Sequence, residues 1–435
     1  WGYDPHNYFT PEGWYSSDPT NPYSRVSELR ELVDAAHSYG LGILLDVVYN
    51  HMANTALMED IVPGYYFRTA NGKFTSKSGC GNDVASTRAM VRRLIVESTS
   101  YWVKEYKVDG FRFDLMGLLD AQTVMSGYEK CAEIKKDVLF IGEGWKMYNG
   151  EKGTVGMDQN YMTKTEKVAV FNDEFRDLAK AGGMSEAGQG FLTGKKVSIP
   201  DLFCNCSGKP VHNYSVTKPS SNVQYFACHD GLTLHDSIVN NIPLDESTEE
   251  GKIEAVNRLK LANALLLTSQ GIAFLHAGQE RGRTKTAFTT AGTDDCETIG
   301  NFVKNSYDSS DNINNFVWNI SDLNKDLLEY TKNLISLRKN NSAFTISTQD
   351  EVMSRISLLG EYCDDFFMAY KIADSEGDWY LFFNSNKEDK KIDFPIENHT
   401  KLYADKEKVY PFGTECCLQD VVVRGSSVLF LRNVK

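Results

Sequence analysis

Six short apolar runs, each closed by polar or acidic residues and separated by stretches of helical texture, constrain this chain more than any other feature. They begin at Ile43, Val108, Val138, Val168, Asn222 and Ile272. The run 43–49 is nearly unbroken, interrupted by Asp46, and follows a helical stretch directly. Continuous apolar strands of this kind belong to parallel sheets covered on both faces. Strand–helix alternation over such a length gives an α/β fold. A doubly wound sheet gathers its functional residues at one switch point, whereas a (β/α)8 barrel uses the C-terminal ends of many strands. Here four strand ends carry candidates: Asp46 with Asn50 and His51, Arg112 with Asp114, Glu143, and His229 with Asp230. The expected fold is therefore a TIM barrel, its remaining two strands lying before Trp1.

Helical spacing predicts helices over 24–39, 83–107, 121–136, 173–181, 254–269 and 323–339. Ser24 reads as the cap of the first and Gly40 as its stop. After Ala343 the texture changes to short strands at 366–372, 379–384, 391–394, 401–403, 420–423 and 427–431, with turn signals between. That pattern predicts an all-β antiparallel sandwich. The expected organisation is a catalytic barrel over 1–342 and a β-sandwich over 343–435.

Composition narrows the function. The 435 residues carry a net charge of -13. No basic stripe is available for phosphates, which excludes a nucleic-acid binder. No apolar run is long enough to span a bilayer; 259–267 comes nearest, in a context that reads as amphipathic. The nine cysteines follow no zinc spacing, Cys204-x-Cys206 and Cys416-Cys417 included. They read as mostly reduced thiols, which favours a reducing compartment and a cytoplasmic location; a monomer is expected. Secretion is the alternative, since the sequence opens at Trp1 inside a loop.

The segment Gly110-Phe111-Arg112-Phe113-Asp114 alternates apolar and polar residues, so Arg112 and Asp114 point to one face. Two readings are open: a structural ion pair, or an active-site floor in which the arginine holds the carboxylate ionised. Glycoside hydrolysis with retention needs two carboxyl groups about 5–5.5 Å apart. Asp114 suits the nucleophile. Glu143, between two glycines and beside Trp145, suits the proton donor if its surroundings are apolar. Asp230 would stabilise the positive charge of the transition state, and His51 and His229 would donate to sugar hydroxyls.

Taken in order, Asp46-Val47-Val48-Tyr49-Asn50-His51, Gly110-Phe111-Arg112-Phe113-Asp114, Gly142-Glu143-Gly144-Trp145 and Phe226-Ala227-Cys228-His229-Asp230 resemble the four signature regions of the α-amylase superfamily. Trp1-Gly2-Tyr3-Asp4-Pro5, Asp114-Leu115-Met116-Gly117, Ala277-Gly278-Gln279-Glu280, Arg283-Thr284-Lys285 and Asn305-Ser306-Tyr307 narrow the resemblance to type I pullulanases. It implies hydrolysis of α-1,6 branch linkages in pullulan, amylopectin, glycogen or limit dextrins. By this resemblance Tyr3 is a stacking platform. Asp46, His51, Arg112 and His229 line the same subsite, and Trp145 faces the next sugar. No cofactor is required, although Asn50 lies where related amylases hold calcium. An isoamylase-like or α-1,4-acting hydrolase and an inactive starch-binding protein are the alternatives. Two local departures stand out: Gly231 where pullulanases commonly carry Asn, and Gln279-Glu280-Arg281-Gly282 in place of a more apolar version.

Overall fold

The computed structural model describes residues 1–180, 186, 188, 190–287, 297–416, 418 and 420–435. It contains two compact units, Gly2–Phe171 and Asn172–Lys435, with Trp1 belonging to the latter.

The first unit runs α1 (Ser24–Ser38), β1 (Leu44–Val47), α2 (Ala89–Tyr106), β2 (Gly110–Phe113), α3 (Ala121–Ile134), β3 (Leu139–Gly142) and β4 (Val168–Phe171). The four strands pair in parallel in that order. Register sets Asp46 opposite Arg112 and Phe113 opposite Gly142, which brings the polar strand ends level. Every residue of β2 is buried. Phe111 and Phe113 pack on Phe140 of β3 with ring centroids 5.4 and 5.1 Å apart. Gly110 is obligatory there, because a Cβ would lie 1.9 Å from the Leu139 carbonyl oxygen.

Two helix boundaries differ from the sequence reading. The helix predicted from residue 83 starts at Ala89. Asp83 instead folds back as an acceptor, taking the N–H groups of Lys77 and Ser78 at 2.9 Å each, and Arg88 stays extended. Short polar side chains commonly compete with the helix in this way. Ser24 is not a cap. The cap position is Tyr23, without a side-chain bond, while Gly40 ends the turn at φ +71 as expected.

The second unit continues with α4 (Asp173–Ala179), α5 (Ile199–Cys206), β5 (Asn222–Gln224), α6 (Leu234–Asn241), α7 (Glu249–Thr268), β6 (Ile272–Ala273) and α8 (Asp322–Asn340). Ala181, predicted to close α4, lies outside the described residues. β5 and β6 pair in parallel. Helix α7 corrects the amphipathic reading of its segment: Leu259–Leu267 is buried on every side, Lys260 and Asn263 included. Such a helix belongs inside a core. Its polar residues are accounted for, as Arg258 donates to the carbonyls of Leu192 and Ser385 and Lys260 pairs with Asp326 at 2.6 Å. Among the described residues no helix is long and apolar enough to cross a membrane.

The C-terminal strands are β7 (Ile356–Leu358), β8 (Phe367–Ile372), β9 (Gly377–Asn384), β10 (Lys390–Ile392), β11 (Thr400–Ala404), β12 (Val409–Glu415), β13 (Val421–Val423) and β14 (Ser427–Val434). They form a six-stranded antiparallel sheet, β7-β8-β9-β14-β11-β12, and a separate pair, β10-β13. Alternation divides the large sheet's side chains between two cores. Phe367, Ala369, Phe382 and Leu429 meet Ile392, Val421 and Val423 of the small pair. Met368, Tyr370, Trp379, Leu381 and Phe430 join the core that holds Leu259, Leu266, Leu327 and Leu334 of α7 and α8.

Candidate active site

Arg112 organises the polar end of the first unit's sheet. It is buried at 5% exposure. Its Nη1 donates to Asp46 Oδ1 at 2.9 Å and to Asp114 Oδ1 at 3.1 Å, and its Nη2 donates to Glu143 Oε1. Three carboxylates from three neighbouring strands thus share one guanidinium, a geometry suited to arginine's planar fork. The guanidinium also lies 5.6 Å from the ring of Tyr3 and 5.7 Å from that of Phe171. Tyr3 donates its hydroxyl to Asp46 Oδ2.

Asp114 and Glu143 are both buried. Asn50 donates to the Asp114 carbonyl at 3.0 Å and to its carboxylate at 3.1 Å. The Asn50 oxygen lies 2.7 Å from His51 Nδ1, and His51 Nε2 lies 3.5 Å from Asp4. Burial holds the His51 imidazole below its ordinary range, against the pull of Asp114 and Asp4. A neutral ring that donates from Nδ1 fits this chain of bonds. The Asn50 side chain is thus engaged at both its nitrogen and its oxygen.

Glu143 differs from expectation. Its surroundings are polar, since it accepts from Arg112 and, at 3.0 Å, from the backbone N–H of Leu115. That N–H is turned toward it by a left-handed backbone at Leu115, φ +40, rare for a branched residue and common at functional sites. The glycines flanking Glu143 are packing requirements: a Cβ at Gly142 would meet Met116 and Phe113, and one at Gly144 would meet Val170. Trp145 follows, half-buried. Sequence reading missed Leu115 and Phe171, for nothing in a leucine or a strand-terminal phenylalanine announces such a role. Of the expected site residues, Tyr3, Asp46, His51, Arg112, Asp114 and Glu143 meet in this cluster.

His229 and Asp230 belong to the second unit, in the loop after β5. The strand is shorter than the predicted 222–228 and ends at Gln224. His229 Nε2 lies 3.6 Å from Asp230, and its Nδ1 lies 3.4 Å from the Cys228 sulfur. The Trp1 ring meets His229 edge-on, with centroids 4.9 Å apart. Gly231 has φ +79, and a Cβ there would lie 2.2 Å from Glu186 Oε1. Glu186 is itself tied to buried Lys180 at 2.8 Å. A glycine in place of asparagine is thus matched by a carboxylate that fills the space. The polar Gln279 is matched likewise: it donates to Asn263 of α7 at 2.8 Å, and Asn263 donates to Thr331 of α8 at 2.9 Å.

The profile of the family described as "Alpha amylase, catalytic domain" matches residues 77–347. The chain belongs to this family. Pullulanase A of Streptococcus pneumoniae is 43% identical over 288 residues, covering 66% of this chain and 22% of the relative. Pullulanase of Bacillus subtilis is 36% identical over 291 residues, covering 66% and 40%. The matched stretch therefore covers less than half the length of these curated relatives. Among solved structures, the catalytic module of the pneumococcal glycogen-degrading virulence factor SpuA in complex with an inhibitor superposes with a TM-score of 0.93 at 34% identity, over 100% of this chain and 68% of that one. The Group B Streptococcus pullulanase SAP in complex with maltotetraose gives 0.91 at 33% identity, over 100% and 61%. The fold is accordingly that of the α-amylase-family barrel with an antiparallel C-terminal domain.

Proposed function

We propose that this chain is the catalytic part of a pullulanase-type debranching enzyme, a retaining hydrolase of α-1,6-glucosidic linkages. The observation that carries the reading is the Arg112 fork, which holds Asp114 and Glu143 on adjacent strands within reach of one guanidinium. A retaining glycosidase needs this closeness of two carboxyl groups. The relatives named pullulanase support the linkage, and the relative bound to maltotetraose supports an α-glucan as partner.

In the mechanism we infer, Asp114 attacks the anomeric carbon as the bond to the departing chain breaks. Glu143 gives its proton to the leaving oxygen, then takes a proton from the water that releases the glycosyl group. Arg112 and the Leu115 N–H hold the Glu143 carboxyl group in place for that role. Asp230 supplies the third carboxylate. Tyr3, Asp46, His51, Arg112 and His229 hold the sugar and Trp145 holds its neighbour. The reaction is proposed to need no cofactor: EDTA should leave the rate unchanged, and a loss restored by calcium would reverse that reading. The described cysteines, none of them in a disulfide, support a reducing compartment.

Digestion of pullulan tests the reading. Maltotriose as the product supports α-1,6 cleavage, and panose-type products would replace it with α-1,4 cleavage. Binding of glucan without turnover would leave only a starch-binding protein. An isoamylase-type preference rests on Gly231, and faster turnover of glycogen than of pullulan would favour it.

A further inference from the structure

Two segments of the pullulanase-like pattern, Arg283-Thr284-Lys285 and Asn305-Ser306-Tyr307, have no part in the mechanism above. In the second unit they converge. Lys285 is buried at 3% exposure, yet no carboxylate among the described residues lies within ion-pair distance of its ammonium. Its Nζ donates instead to Ser306 Oγ at 2.8 Å and lies 5.6 Å from the centre of the Trp1 ring. The Trp1 Nε1–H donates to the same Ser306 oxygen at 3.1 Å, and its ring meets His229 and Tyr307 edge-on, with centroids 4.9 and 6.3 Å apart. The backbone of Lys285 is fixed as well: its N–H donates to Asp236 at 2.8 Å, and its carbonyl accepts from Val303 at 2.8 Å.

A buried cation without a carboxylate partner is costly, and such groups concentrate where their charge acts. We propose that Lys285 is a positioning residue for the sugar-binding corner, its charged ammonium holding Trp1 and Ser306 so that the indole edge fixes the His229 ring beside Asp230. The proposal rests on the debranching reading for the reaction it serves, but its geometry does not.

The charge at Lys285 is conditional. Burial and the neighbouring Arg283 bring its pKa down to about 8, against the opposing pull of Asp236, Asp230 and Cys228. His276 also faces it, and burial with Arg283 and Lys285 holds that imidazole at about 3, neutral throughout the working range. The corner should therefore lose its anchor as pH rises through about 8.

The experiment compares wild type, K285R and K285M on pullulan from pH 6 to about 10, the range bracketing the ordinary lysine value. Lys285→Met should lower kcat/KM about 10–100-fold near neutrality, the usual effect of removing a supporting partner, with the inflection near pH 8 gone. Lys285→Arg, charged at every pH tested, should keep most of the activity and move the alkaline fall upward. An alkaline limb identical in wild type and K285R would overturn the proposal. A second readout needs no turnover. The His229 ring proton resonances should show an inflection near pH 8 in wild type that is missing in K285R, and an unchanged titration overturns the proposal. A wild-type chain with no debranching activity but with that inflection would sink the functional reading and leave the positioning role standing.

Discussion

Arg112 and Lys285 are both buried cations behind residues that bind sugar in our reading, and they are neutralised in opposite ways. Arg112 touches three carboxylates directly. Lys285 touches a hydroxyl and an indole. The first arrangement fixes charge whatever the pH, since a guanidinium does not deprotonate and its partners are within hydrogen-bonding reach. The second depends on whether the ammonium keeps its proton. His235 offers a third case, a titratable ring between two acids, Asp236 at 3.1 Å and Glu246 at 2.9 Å. Direct pairing therefore goes with catalytic groups that must stay aligned, and indirect contact with a residue that tunes its neighbours.

The sharpest way to break this comparison is at Asp114. Asp114→Asn keeps the shape and the Asn50 contact but removes the nucleophile, and turnover of pullulan should fall on the order of 10³-fold or more. The fold should persist, because Arg112 keeps Asp46 and Glu143. Near-normal turnover would mean that Arg112 gathers these acids for structure alone.

Arg112→Met comes next. Removing one partner of a buried ion cluster costs about 3–5 kcal/mol, to be read from urea unfolding. If the loss stays below about 1 kcal/mol, the level of an exposed pair, the direct arrangement is not what aligns the strand ends.

His235 gives a smaller, pH-dependent effect. Its partners raise its pKa to about 9 despite burial, against about 6.5 in the unfolded chain. The sign follows: the folded form holds the proton more tightly, so this stabilisation is complete below pH 6.5 and is lost as pH rises toward 9. The loss is on the order of 3 kcal/mol. Unfolding free energies of wild type and His235→Gln at pH 6 and pH 9.5 should differ more at the lower pH. A constant difference would remove His235 from the set.

Much of the site was legible because barrel-type chemistry lives at strand ends. Periodicity located the strands, and Asp46, Asp114 and Glu143, among the polar residues that mark them, are those that Arg112 gathers. What stayed hidden lacked any side-chain signal. The Leu115 N–H reaches Glu143 through a backbone angle, and Trp1 reaches His229 from more than two hundred residues away in sequence. The expected apolar setting of Glu143 failed because its flanking glycines serve close packing with Met116 and Val170, and they leave the carboxylate open to Arg112. In α7 the context of 259–267 read as amphipathic, but Arg258 and Lys260 find carbonyl and carboxylate partners and the helix lies in the core.

The large C-terminal sheet lends one of its faces to α7 and α8. It is consequently not a detachable accessory. A gene shortened at the point where the amino-acid texture changes would yield a product with Leu259, Leu266, Leu327 and Leu334 stripped of their cover, prone to clumping and to proteolysis. Grafting this sheet onto an unrelated enzyme would meet the same obstacle from the other side, because Met368, Tyr370 and Trp379 would arrive with nothing to rest against.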